Sequence, residues 1–164
     1  MNNKEKVQIH RGMDKVKRMQ FDEALQIFDR VLEMNPEIPE AWNNKGVALH
    51  RLGRAEEALE CYERSLTIDP ENMDALRNKG FVLRYLGRLE EALQAYDSVL
   101  QKGGEPLDME STASVLATMG RLEEALECML LAREAAPIKR FEEEIEVLKS
   151  MIMQRDGIEM PGEN

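Results

Sequence analysis

Apolar and small residues recur along the chain with helical spacing, inside a longer period. In residues 41–53, AWNNKGVALHRLG, the residues Ala41, Trp42, Gly46, Leu49 and Leu52 share one helical face. Gly53 stops that helix. The next run, RAEEALECYERSLTI, puts Ala55, Ala58, Leu59, Tyr62 and Leu66 on one face. Asp69-Pro70 ends it, because proline has no N–H and disfavours helix in the residue before it. The pattern predicts a pair of helices joined by a tight turn.

The pair is repeated. Residues 75–87, ALRNKGFVLRYLG, match residues 41–53 at seven of thirteen positions, at an offset of 34. Small residues recur at Gly12, Gly46, Gly80 and Ala113, and again at Ala24, Ala58, Ala92 and Ala125. Bulky ones recur at Phe28, Tyr62, Tyr96 and Met129, and turn residues at Pro36, Pro70, Gly104 and Pro137. All four columns step by 34, 34 and 33 residues, so the chain holds four units. Gly46 and Ala58 lack bulk, which predicts close approach of two helix backbones, with Trp42 and Tyr62 filling the space around them. One hairpin cannot bury its whole apolar face, so stacked neighbours complete the core. After the fourth unit, Phe141, Ile145, Leu148 and Ile152 predict an amphipathic capping helix over 138–155, and the polar stretch 156–164 is expected to be a disordered tail.

The period, with Trp42, Gly46, Leu49, Ala58, Tyr62 and Pro70 at these spacings, resembles the tetratricopeptide repeat. The resemblance implies an all-α fold, a right-handed superhelix of stacked helix hairpins. Its units would be 5–38, 39–72, 73–105 and 106–137. Two places depart from the pattern. The first helix of unit one carries Gln8, Arg11 and Lys15 where apolar residues usually pack, and Gly103-Gly104 loosens the turn between units three and four.

Composition narrows the function. The net charge of −10 argues against broad binding of nucleic acid or membranes, and no stretch approaches the roughly 20 apolar residues of a membrane span. No signal sequence is visible at the start, so a cytoplasmic location is expected. Cys61 and Cys128 form no zinc-type cluster and are expected as two unpaired thiols. With His10 and His50 as the histidines, no catalytic motif, metal site or cofactor site can be assembled, and no enzyme activity is expected. Glu56, Glu57, Glu60 and Glu63 read as a solvated helix face.

The first helices of such repeats line the concave groove that the resemblance assigns to peptides and protein segments. Its columns here are Met13, Val47, Phe81 and Ser114; Ile9, Asn43, Arg77 and Glu110; His10, Asn44, Asn78 and Ser111; Val16, His50, Arg84 and Ala117; Lys17, Arg51, Tyr85 and Thr118; and Lys6, Glu40, Asp74 and Leu107. Five of these residues are basic against three acidic, which makes the groove mildly basic in an acidic protein. The expected ligand is a segment with apolar anchors and acidic character. Met13, Val47, Phe81 and Tyr85 would meet the anchors. Arg51, Arg77 and Arg84 would pair with carboxylates, and Lys17 and His50 line the same groove. Asn44 and Asn78 would hold backbone, since an amide offers both donors and an acceptor, and Asn43 is a further groove residue. Ile9, Met13 and Asp74 stand where relatives that clamp a terminal carboxylate carry Lys, Asn and Lys, so that ligand is not expected. Two rival readings are a homo-oligomer, such as a homodimer, formed through the first unit, and RNA binding, which the net charge and few aromatics disfavour.

Overall fold

The computed structural model describes residues 1–158, so most of the expected tail at 156–164 lies outside the described residues. Among the described residues the elements are nine α-helices and no strand. They are α1 (Asn3–Lys17), α2 (Phe21–Met34), α3 (Pro39–Arg51), α4 (Ala55–Ile68), α5 (Met73–Tyr85), α6 (Leu89–Gln101), α7 (Pro106–Thr118), α8 (Leu122–Ala135) and α9 (Lys139–Arg155). The all-α hairpin architecture is the one the periodicity predicts. The chain divides into two compact units, Met1–Arg88 with α1 to α5 and Leu89 onward with α6 to α9. The division falls between α5 and α6.

Local chemistry sets the ends of the helices. Asn2 and Glu5 form a reciprocal cap at α1, and Pro39 sits in the first turn of α3, where its missing N–H costs nothing. Gly53, Gly87 and Gly120 follow α3, α5 and α7 with φ of 78°, 75° and 79°, the left-handed conformation that glycine takes without strain. The same column after α1 holds Met19, with φ 60°.

In the first unit, α1 packs on α2, α2 on α3, α3 on α4 and α4 on α5, while α3 also touches α1 and α5. Phe28, Val31, Ile38, Ala48, Leu49, Ala58, Tyr62, Val82 and Leu83 form its buried interior. The small column works differently from the expectation of backbone against backbone. An added Cβ on Gly46 would meet the Tyr62 ring, and one on Gly12 the Phe28 ring. Each glycine makes room for the aromatic ring of its own hairpin.

Three other positions differ from the sequence reading. Leu52 is exposed, and Trp42 is only half-buried, its indole N–H donating to the Pro36 carbonyl at 2.7 Å. Leu66 is half-buried, and its neighbour Ser65 is fully buried, donating to the Pro39 carbonyl at 2.9 Å. In α1 the inward residues are Glu5, Ile9 and Gly12, so Arg11 stays in solvent and Lys15 instead reaches Gln20 and Glu23.

In the second unit, Ala113, Leu116, Leu122, Ala125, Met129 and Ala132 of α7 and α8 meet Phe141, Ile145 and Leu148 of α9 in one apolar cluster. Arg155 ties the end of α9 to Glu123 of α8. Cys61 and Cys128 are free thiols, and burial pushes the Cys61 thiol up to about 11.

Candidate protein-binding face

The residues expected to meet the ligand all belong to α1, α3 and α5, within the first unit, while the fourth members of the columns, such as Glu110 and Ser114, lie on α7 in the second. Helix register decides which of them reach the surface. Ile9 and Asn43, read from the sequence as groove-facing, are 6% and 8% exposed. The contacts of α3 with α1 and α5 carry these two residues into the interior. Asn43 accepts a hydrogen bond from the Asn78 side-chain amide, at 2.9 Å between donor and acceptor. One of the two expected backbone-holding amides, Asn78, is therefore tied to another groove residue about one repeat away.

Two hollows open on this face. The first, of about 280 Å³, lies where Lys6, His10 and Met13 along α1 face Glu40 and Asn44 in the first half of α3 and Asp74 at the start of α5. The second, of about 260 Å³, is lined by Val47, His50, Arg51, Tyr62, Asn78 and Phe81. Tyr62 was not among the expected groove residues. Its place in the bulky column marks it as core, and the structure shows it both buried and part of the hollow's wall.

Around the second hollow the side chains are ordered by aromatic contacts. The His50 imidazole meets the rings of Phe81 and Tyr85 edge-on, both at 5.4 Å between centroids, with interplanar angles of 85° and 81°. Phe81 is 45% exposed and Tyr85 66%. The Arg84 guanidinium lies 5.7 Å from the Phe81 centroid, a cation–π arrangement. His50 Nδ1 is buried without a hydrogen-bond partner. Burial, then the charge of Arg51, holds the His50 pKa below its ordinary value, so the ring is neutral at neutral pH. Of the remaining expected residues, Arg77 is half-buried and 3.7 Å from Asp74, while Lys17 is exposed and 4.0 Å from Asp14.

The face can therefore offer exposed aromatic surface, guanidinium groups and amides, which is the equipment of a binding surface. Among the described residues no group of three or more His, Cys, Asp and Glu is placed to hold a metal ion, and no helix is long and apolar enough to cross a membrane.

Two family profiles match the sequence, both described as tetratricopeptide repeat, one over residues 11–73 and the other over residues 61–94. A comparison with curated proteins finds no match. Several solved structures share the fold. MamA from Desulfovibrio magneticus RS-1 superposes with a TM-score of 0.81 at 20% identity, covering 92% of this chain and 86% of that one. Pseudomonas aeruginosa pilF gives 0.82 at 21%, covering 92% and 69%. YrrB, described as a TPR protein with an unusual peptide-binding site, gives 0.73 at 22%, covering 82% and 70%. Identities this low establish a common architecture.

Proposed function

The chain belongs to the tetratricopeptide repeat family, and on that premise we propose that it is a non-enzymatic interaction scaffold, working in the cytoplasm, that holds a peptide or protein segment on the face built by α1, α3 and α5. The observation that carries this reading is the pair of large rings, Phe81 and Tyr85, left in solvent beside Arg84, while Phe28 and Tyr62 of the same unit are buried and Phe21 and Trp42 half-buried. Exposed apolar surface rimmed by charge is the usual mark of an interaction site. The peptide-binding site in the description of YrrB supports the same use of the fold.

In this reading the repeats are 5–38, 39–72, 73–105 and 106–137, closed by the helix over 138–155. Met13, Val47, Phe81 and Tyr85 take apolar anchors of the partner. Lys17, Arg51, Arg77 and Arg84 take its carboxylates, and Asn44 and Asn78 its backbone, with Asn43 behind Asn78. Each partly exposed ion pair contributes about 0.5–1 kcal/mol, so burial of the anchors supplies most of the affinity. Peptides selected by display against the full chain test it. Reversing Arg77 and Arg84 together to Glu lowers their affinity roughly 5- to 30-fold, the equivalent of two such pairs. Affinities unchanged by the double reversal contradict it.

A further inference from the structure

The second hollow points to a more specific ligand. At about 260 Å³ it is smaller than the roughly 300–1,000 Å³ of a pocket for a whole small molecule, and matches a single side chain. Its walls are Val47 and the rings of Tyr62 and Phe81, and its polar groups are His50, Asn78 and Arg51. One atom here has nothing to bond: His50 Nδ1 is buried without a partner, and the rings of Phe81 and Tyr85 that stand edge-on to this imidazole are themselves exposed and so open to displacement by a ligand. In the neutral imidazole with its proton on Nε2, Nδ1 carries the lone pair and takes a donor.

We propose that this hollow is the anchor pocket for one tryptophan side chain of the partner, its indole N–H donating to His50 Nδ1 and an adjacent carboxylate meeting Arg51. The assignment rests on the binding face proposed above and makes His50 its specificity residue. Indole fits because it is flat, apolar and a donor only. Its N–H satisfies the one orphaned atom and brings no acceptor that the pocket would have to pair. A phenyl ring fills the space but leaves Nδ1 unbonded. Sites built around a buried polar group reject analogues that lack the matching one. The effect of Arg51 on the ionisation of both His50 and Tyr62 agrees with its place at the lip.

The test titrates the full chain with N-acetyl-tryptophanamide and N-acetyl-phenylalaninamide, following His50, Asn78 and Phe81 by NMR. The tryptophan probe binds roughly threefold to tenfold more tightly, the ratio that one net hydrogen bond supplies. His50→Phe, which keeps a ring, abolishes the preference, and His50→Gln, which keeps an acceptor, retains part of it. Equal binding of the two probes, or a preference that survives in His50→Phe, overturns the proposal. So does an absence of shifts at these residues. If display-selected peptides still depend on Arg77 and Arg84 in that event, the binding face stands and only the tryptophan pocket falls. Peptides indifferent to both arginines, with the probe preference intact, would instead sink the charge half of the wider reading.

Discussion

The ring of Tyr62 lies where a side chain on Gly46 would have to be: a Cβ there would stand 2.6 Å from Tyr62 Cε1. Gly12 and Phe28 repeat the relationship one unit earlier, at 2.5 Å. Tyr62 and Phe28 are 2% and 0% exposed, so neither ring can swing into solvent without opening the core. Gly46→Ala therefore forces overpacking and lowers stability by about 1–3 kcal/mol, read from the urea midpoint at unchanged slope. A variant as stable as the parent would mean that the hairpin shifts freely, against the packing described.

Met19 offers the opposite experiment. It takes the left-handed turn that Gly53, Gly87 and Gly120 take after the later first helices, and its side chain is 76% exposed. Little packing is lost on its removal, while a β-carbon in this conformation costs roughly 1–2 kcal/mol. After the greater chain entropy of glycine is subtracted, Met19→Gly stabilises the protein by about 0.5–1 kcal/mol. Met19→Asn is expected to move in the same direction by less. Loss of stability in both would show that Met19 has a packing role.

Glu144 of α9 makes stability depend on pH. Burial first, then its hydrogen bond to Glu110 of α7, raises its pKa, and Arg140, 3.7 Å away, opposes the rise only in part. The folded chain keeps a proton that the unfolded chain gives up near pH 4.5. The stability this group supplies is full below that pH and is lost as pH rises through the higher folded value. Glu144→Gln removes the ionisation and keeps the hydrogen-bonding shape. Its stability relative to the parent should be unchanged at pH 4 and higher at pH 7, by denaturant unfolding at both. An equal difference at the two pH values would refute the raised pKa of Glu144.

The sequence carried the architecture because each packing role recurs. A glycine at 12, 46 and 80 and an aromatic residue at 28, 62 and 96 announce a small–large pair, although the letters alone suggested contact between backbones rather than backbone and ring. Met19 was hidden, since nothing in a methionine signals a left-handed turn, and only its alignment with Gly53 and Gly87 gives it away. The binding face was legible in part. Val47, Phe81, Arg51 and Tyr85 fall on open columns, but Ile9 and Asn43 differ from open neighbours by one position, and the interlocking of adjacent helices decides the side. That Phe81 and Tyr85 both stand edge-on to His50 follows from the packing of α5 on α3, across 31 and 35 residues of chain. No periodicity records an angle of that kind.

The most direct test of the binding face is a chemical-shift map of a display-selected peptide on the isotopically labelled full chain. The account predicts that the largest shifts fall on Val47, His50, Asn78, Phe81 and Tyr85 of α3 and α5, with smaller ones at Met13 and Lys17 of α1. Shifts gathered instead on the hollow between the other sides of α3 and α4, at Trp42, Glu57, Glu60 and Arg64, would contradict it.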